Sequence, residues 1–212
     1  MFLFLLGGII MGNKYIKDMD VNELKNYIDF AYLSIENFLG EYVKLNKEKI
    51  ENNKKITILR NRAYDIKDIL EHVEWAVAKI NINDSISSRT NTLPKRGEIW
   101  TCQLGKNVGS EENKIRPVII LQNNTGNEKG PTTIIVPVSN RPKKIAVHIS
   151  LKSSDYEIVK GEVEEVTGTI LCEQIRVIAK ARLGRHIATL KEDFLNNILE
   201  PKIRISLDIK NK

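Results

Sequence analysis

Residues 109–123, which read GSEENKIRPVIILQN, decide the fold of this chain. Within them, residues 117–121 are apolar and largely β-branched, a composition typical of a strand covered on both faces, and residues 122–124 supply the turn that ends it. The proline at position 117 holds Arg116 in extended conformation. We therefore expect Arg116 at a fixed place where a polar loop enters the strand, with a guanidinium suited to binding a phosphate.

Two later segments extend this pattern: TIIVPVSNRPKK (133–144) and ILCEQIRVI (170–178). Together with residues 109–123 they resemble the MazF/PemK family of toxin endoribonucleases from bacterial toxin–antitoxin pairs. One short motif is a weak signal, but three in the right order over residues 95–209 are far more specific. The first 93 residues lie outside the resemblance.

The C-terminal region, residues 94–212, is predicted to be a small antiparallel β-barrel or strongly bent sheet with a C-terminal helix, which makes the chain α+β. The resemblance implies the SH3-like form of the MazF and CcdB toxins. Thr189 and Glu192 have the N-cap pattern of the final helix, and Pro201 is expected to end or kink it. Five strands are expected, at 99–104, 117–121, 132–138, 145–151 and 169–174, with an extension of the last to 178 left open.

The N-terminal region, residues 14–83, contains two heptad seams, the first opened by a capping box of Asp20 and Glu23. The seams are Val21, Leu24, Ile28, Ala31, Ile35, Phe38, Tyr42 and Leu45, and then Ile56, Leu59, Ala63, Ile66, Leu70, Val73, Val77 and Ile80. Because the polar segment KEKIENNKK (47–55) separates them, we predict an α-helical hairpin with a coiled-coil pattern. The unbroken heptad phase keeps one continuous coiled coil as the alternative. Either form is expected to dimerise the C-terminal domain or to space it.

The remaining segments are an apolar tail, residues 1–13, and a Ser/Asn/Thr-rich linker, residues 84–93. Met1 to Met11 is too short to span a bilayer and lacks the basic start and cleavage site of a signal peptide. We therefore expect no membrane partner and hypothesise that Met11 is the true start. The alternative is a short tail that binds a membrane surface or a protein partner.

Charge is distributed unevenly along the chain. Residues 1–93 contain 13 basic and 13 acidic side chains, whereas residues 94–212 contain 20 and 14, so the whole net charge of +6 belongs to the C-terminal region. Such a basic domain favours a polyanionic partner. Cys102 and Cys172 lack any zinc-site or disulfide spacing, and the three histidines stand singly, so we expect buried thiols in a reducing cytoplasm, no metal and no cofactor.

A chemical route to RNA cleavage without a metal is attack by the 2′-hydroxyl on its own phosphate, which yields a 2′,3′-cyclic phosphate and a 5′-hydroxyl. The candidate catalytic residues are Arg116, Ser139 and Glu111. Arg116 would stabilise charge on the phosphate, Ser139 would add a hydrogen bond, and Glu111 would orient a hydroxyl or act as base. The resemblance instead implies acid–base work for Arg116, and usually a threonine in place of Ser139.

Candidate RNA-binding residues surround this set: Ser110, Arg141, Lys143, Lys144 and Gln174. The basic turn after Ser139 would neutralise flanking phosphates, while Gln174 is interpreted first as a buried strand amide and second as an RNA contact. Arg116 has an alternative partner in Glu111 or Glu112, with which it would brace the loop. The sequence departs from the family pattern at Asn113, Lys114 and Asn140, where glycine is common, which predicts a stiffer loop.

The resemblance implies the toxin component of a type II toxin–antitoxin system, a sequence-selective endoribonuclease that cleaves single-stranded mRNA and inhibits translation. It further implies a homodimer and a separately encoded antitoxin as partners. The competing interpretation is a non-catalytic CcdB-like toxin that acts by binding, because fold alone does not decide activity. A third hypothesis is that the N-terminal helices hold the domain inactive until a signal releases it.

Overall fold

The computed structural model describes residue 16 and residues 19–48, 56–86, 92–140, 145–161 and 165–210. It divides into two compact units, Met1–Lys67 and Asp68–Lys212. The division falls inside a helix, so the second unit contains the end of that helix as well as all the strands. The predicted apolar tail, residues 49–55 of the polar segment between the seams and residues 87–91 of the predicted linker lie outside the described residues.

Two long helices account for the described N-terminal region: α1 (Val21–Glu48) and α2 (Ile56–Asp84). The predicted capping box is present, since Oδ1 of Asp20 accepts hydrogen bonds from the backbone nitrogens of Asn22 and Glu23, and Oε2 of Glu23 accepts one from the backbone nitrogen of Asp20. Seam side chains such as Ile35 and Phe38 are more than half exposed. The packing of one seam on the other therefore stays a prediction.

The second unit is built on one antiparallel sheet in the order β4-β6-β3-β2-β1-β8-β5, with β7 pairing separately with β3. Its strands are β1 (Glu98–Gly105), β2 (Lys114–Ile120), β3 (Thr132–Ser139), β4 (His148–Leu151), β5 (Tyr156–Ile158), β6 (Gly168–Leu171), β7 (Arg176–Ala179) and β8 (Leu183–Leu190). β3 pairs with β7 along its first half and with β6 at its last two residues. Because β3 changes partner along its length, the sheet curls, and the predicted α+β bent sheet is confirmed.

The core lies on both sides of the two central strands. Ile119 and Val136 belong to one buried cluster, which also contains Phe194 and Leu199 of the C-terminal helix. Val118 and Ile120 face a second cluster on the opposite side. Residues 118–120 are fully buried, as expected for a strand covered on both faces. β2 is thus a rigid support for Arg116 at its entrance.

The strand and turn predictions need three corrections. β5 and β8 are absent from the predicted set, although β8 is one of the two neighbours of β1. Residues Cys172–Gln174 form a 3-10 turn between β6 and β7, so the predicted fifth strand is two strands with a break. The turn expected after β2 contains the short helix α3 (Asn124–Lys129), which Asn123 caps by accepting a hydrogen bond from the backbone nitrogen of Gly126.

The predicted start and end of the C-terminal helix also need correction. Thr189 is not the N-cap, because it lies within β8, paired with Glu98 and Glu157; the helix starts with α4 (Glu192–Phe194) after Lys191. It then passes through the π-helical turn Leu195–Leu199 into α5 (Glu200–Ser206). Pro201 therefore does not end the helix: it stands in the first turn of α5, where a missing N–H donor is tolerated.

Among the described helices, none is both long and apolar enough to cross a membrane.

Both thiols are buried, and we expect them to be chemically inert in the folded protein. Burial raises the pKa of the Cys102 and Cys172 thiols to about 12, so the reactive thiolate is scarce at pH 8. Ellman's reagent at pH 8 should release almost no colour from native protein and two equivalents after denaturation in guanidinium chloride. Rapid reaction of a thiol in the native protein would contradict this placement.

Candidate active site

A cleft of about 620 Å³ opens where the β1–β2 loop lies over the ends of β3 and β6. The structure brings the three predicted catalytic residues together there, since Arg116, Ser139 and Glu111 all line it. The predicted RNA-binding residues Ser110 and Gln174 line it too. Arg141, Lys143 and Lys144 lie outside the described residues, so their RNA-binding role stays a prediction.

Arg116 is held at the cleft by two contacts of its Nε atom. Nε lies 2.8 Å from Oε1 of Glu112 and donates a hydrogen bond of 3.1 Å to the backbone oxygen of Asn113. The side chain of Arg116 is 23% exposed and that of Glu112 is 13% exposed. The bracing ion pair that the sequence allowed is therefore present, and its carboxylate is Glu112, whereas Glu111 is exposed.

The loop that carries Glu112 is fastened by Gln174. The side-chain oxygen of Gln174 accepts a hydrogen bond of 2.8 Å from the backbone nitrogen of Glu112, and its amide nitrogen donates one of 3.2 Å to the backbone oxygen of Ser110. Nη2 of Arg176 donates to the backbone oxygen of Glu112 at 3.2 Å. Gln174 is thus a half-buried turn residue that positions the loop, and the predicted strand amide is corrected to this role.

Ser139 is the last residue of β3 and is 1% exposed. It pairs with Thr169 of β6. The neighbouring Gly168 has a φ of +136°, and a Cβ atom there would lie 2.7 Å from the backbone oxygen of Ser139. Glycine at 168 therefore allows the close approach of β6 that holds Ser139 in the cleft wall.

We expect Gly168→Ala to lower the free energy of unfolding by about 2–3 kcal/mol, because both the backbone conformation and the contact with Ser139 become strained. Gly161→Ala is the matched control: its φ is +97°, yet nothing lies within 4 Å of the added methyl group. The control substitution should lower the free energy of unfolding by about 1 kcal/mol. Urea denaturation measures both values, and equal losses would show that the contact with Ser139 has no energetic consequence.

Two site residues escaped the sequence interpretation, His148 and Glu173. Nε2 of His148 lies 2.9 Å from Oε1 of Glu173, the side chain of His148 is 5% exposed, and both residues line the cleft. They meet because β4 pairs with β6 in a register that places His148 opposite Leu171. No sequence spacing signals this pair, since His148 begins β4 and Glu173 lies in the 3-10 turn that follows β6.

Lys114 is one of the positions at which the sequence departs from the family pattern. Its φ is +69°, in the left-handed region where glycine is favoured, and it stands beside a register shift between β1 and β2. A non-glycine residue there limits the conformations of the loop. The stiffer loop stays a prediction.

The second unit thus combines a strongly bent antiparallel sheet, a C-terminal helix and a polar cleft beside the β1–β2 loop. The model of the PemK-like, MazF-like toxins of type II toxin–antitoxin systems matches residues 95–207, and the chain belongs to this family. A relative from Staphylococcus saprophyticus, "Endoribonuclease MazF", is 35% identical over 108 residues, which cover 50% of this chain and 85% of that protein. The protein is accordingly an endoribonuclease of the MazF type.

Two solved structures are also similar to part of this chain. The crystal structure of MazF from Deinococcus radiodurans is 20% identical, covers 56% of this chain and all of its own, and superposes with a TM-score of 0.47. An endoribonuclease in complex with its cognate antitoxin, from Mycobacterial species, is 19% identical, covers 56% of this chain and 99% of its own, and has a TM-score of 0.45. The helices α1 and α2 lie outside the region that the family model matches.

Proposed function

We propose that the protein is the toxin of a type II toxin–antitoxin system that cleaves single-stranded mRNA without a metal and so stops translation. The observation that carries this proposal is the placement of Arg116 and Ser139, from two different strands, in one cleft with several carboxylates. A polar cleft at the end of rigid strands suits a phosphodiester, and the family supplies the reaction class. Cleavage would be selective for sequence because unpaired bases are read by the surrounding loops.

The proposed reaction transfers the scissile phosphate within the RNA. The 2′-oxygen forms a bond to phosphorus, the bond from phosphorus to the 5′-oxygen breaks, and the products are a 2′,3′-cyclic phosphate and a 5′-hydroxyl. Arg116 stabilises the negative charge that develops on the phosphate oxygens, with the phosphate competing with Glu112 for the guanidinium. Ser139 donates a hydrogen bond to the same group.

Two protons must also move, and carboxylates of the cleft are suited to this role. A base takes the proton of the 2′-hydroxyl, and an acid returns one to the 5′-oxygen. We assign the base to Glu111, which is exposed at the cleft. Glu173, which contacts His148, is another carboxylate that lines the same cleft.

We expect Glu111→Gln to lower the rate of single-turnover cleavage by about 10²-fold, because the amide cannot accept the proton. Glu173→Gln is the matched variant and should change the rate by less than about tenfold. Single-turnover rates between pH 5 and pH 9 measure both effects. The opposite ranking would transfer the role of base from Glu111 to Glu173.

The proposed partners follow from the reaction and from the family. They are single-stranded mRNA, a separately encoded antitoxin that binds the cleft, and a second copy of the chain in a homodimer. Because mRNA is the substrate, we place the protein in the cytoplasm. Fold similarity to toxins that form antitoxin complexes is consistent with these partners.

The experiment that tests the proposed function is incubation of purified protein with single-stranded RNA in EDTA, with a DNA of the same sequence alongside. The RNA should be cut to products that end in 2′,3′-cyclic phosphate, and the DNA should stay intact because it lacks the attacking hydroxyl. Absence of cleavage in every buffer would instead support the CcdB-like binding protein.

A further inference from the structure

The end of α2 lies outside the family region yet contacts the β1–β2 loop within the second unit. Nζ of Lys106 forms an ion pair with Asp68 and lies 3.1 Å from Oε2 of Glu71. Nζ of Lys114 lies 4.0 Å from Oε1 of the same Glu71. One acidic face of α2 therefore pairs with Lys106 of the loop and lies beside Lys114, the first residue of β2.

Trp75 anchors this contact. Gly105 has a φ of +84°, and its missing side chain leaves the space that the indole ring of Trp75 occupies. The guanidinium carbon of Arg182 lies 5.1 Å from the centroid of the same ring, which is a cation–π distance. Trp75 and Glu71 are half-buried, whereas the seam residue Val77 is exposed. The helix thus contacts the loop through a face distinct from its heptad seam.

The two lysines stand at the edge of the catalytic cleft. Glu71, Lys106 and Lys114 line the cleft that contains Arg116 and Ser139. The same three residues also line a neighbouring cavity of about 390 Å³ between α2 and the loop. If the scissile phosphate lies at Arg116, an RNA strand that extends from it towards α2 passes Lys106 and Lys114. Lysines beside a nucleic-acid backbone bind its phosphates.

Building on the proposed function, we propose that Lys106 and Lys114 form an RNA-phosphate-binding site, and that Asp68 and Glu71 occupy this site while RNA is absent. RNA phosphates then compete with the carboxylates of α2 for the lysines. The exchange is feasible because 57% of the side chain of Asp68 and 27% of that of Glu71 are exposed to solvent.

The protonation states of the contact agree with such an exchange. The hydrogen bonds that Lys106 donates to Asp68 and Glu71 raise the pKa of Lys106, and the bond to Asp68 lowers the pKa of that carboxyl group. Lys106 is therefore a cation throughout the neutral range, and Asp68 is an anion. The carboxylates offer the lysine the same type of charge-assisted hydrogen bond that a phosphate offers.

The test measures binding of a fully 2′-O-methylated single-stranded RNA, which has no free hydroxyl to attack, by fluorescence anisotropy at several salt concentrations. The double variant Lys106→Ala/Lys114→Ala should weaken binding about tenfold or more at low salt. It should also reduce the slope of log K against log salt by about 1.4, because two phosphate contacts are lost at about 0.7 each.

The converse double variant, Asp68→Asn/Glu71→Gln, should tighten binding about three- to tenfold, since it frees the lysines. Its matched control is Asp65→Asn/Glu36→Gln, which removes an equal number of negative charges from the Met1–Lys67 unit. The control should leave the affinity near that of the wild type. Circular dichroism melts confirm that each variant is folded. Unchanged affinity and salt slope in the lysine variant, or equal gains in the acidic variant and its control, would overturn the proposal.

Cleavage of unmodified RNA in EDTA separates this inference from the proposed function. If the wild type does not cut RNA but binding depends on the two lysines, the site stands and the nuclease proposal fails. If the wild type cuts RNA but the lysines affect neither affinity nor salt slope, the nuclease proposal stands and this site fails.

Discussion

Arg116→Ala should lower the rate of RNA cleavage by about 10²- to 10³-fold, the loss typical of removing one preorganised group that stabilises transition-state charge. Arg116 lies at the entrance of a buried strand and points into the cleft with Ser139. Its removal leaves Glu112 with no cation at 2.8 Å, so the cleft also becomes more negative towards a phosphate. Single-turnover cleavage of a radiolabelled RNA in EDTA measures the loss.

Two further variants show whether charge or geometry is responsible. Arg116→Lys keeps the charge but not the planar fork, so it should recover only part of the rate. Arg204→Ala removes an exposed arginine of α5 outside the cleft and should cleave like the wild type. Circular dichroism establishes folding. An Arg116→Ala protein that is folded and cleaves RNA within about threefold of the wild-type rate would remove the basis of the proposed mechanism.

Ser139→Ala should lower the rate by about 10²-fold, because a hydrogen bond to the phosphate is lost. The side chain is 1% exposed and forms part of the cleft wall, so alanine fits without a clash. The expected loss is in the rate of the chemical step rather than in RNA affinity, since the lysines and Arg116 remain. Single-turnover rates at saturating enzyme concentration, with anisotropy for affinity, separate the two quantities.

Ser139→Thr is the informative control for this position. The family usually has threonine there, and threonine keeps the hydroxyl while adding one methyl group. We expect it to retain the wild-type rate within a few-fold. If Ser139→Ala and Ser139→Thr lose activity equally, the effect is one of packing, and the hydroxyl is not a catalytic group.

Much of the candidate site could be predicted from local sequence. A strand of β-branched residues after a polar loop places Arg116 at a strand entrance, and a second strand ending in a turn places Ser139 at a strand exit. The pairing of β2 with β3 puts both on the same sheet. Three ordered motifs then pointed to the family, and the family model and the Staphylococcus relative confirm it.

The carboxylate that contacts Arg116 could not be predicted in the same way. Glu111 and Glu112 are neighbours in the sequence, and either satisfies a local argument. The choice of Glu112 depends on the path of the loop backbone, which is held by hydrogen bonds from Glu112 to Gln174 and from Arg176 to Glu112. The pair of His148 and Glu173 could not be predicted from the sequence either, because its two residues meet only through the register of β4 on β6.

The strand β8 is a further feature that could not be predicted from the sequence. Its sequence, LGRHIATL, mixes glycine, charge and apolar residues and shows no clean alternation. Its extended conformation is stabilised by pairing with β1 on one side and β5 on the other. Strand propensity depends on neighbours in this way, so the local pattern was too weak to reveal it.

The sequence by itself determined the class of the domain, the fully buried segment 118–120 of β2, the capped helix α1 and the burial of both thiols. The class depends on three ordered motifs, and each of the other features depends on the periodicity and composition of one short segment. Only the tertiary structure decided which carboxylate faces Arg116, where Pro201 is accommodated, and that the acidic face of α2 holds Lys106. These features depend on the packing energy between segments far apart in the chain, and no local stretch of sequence contains that energy.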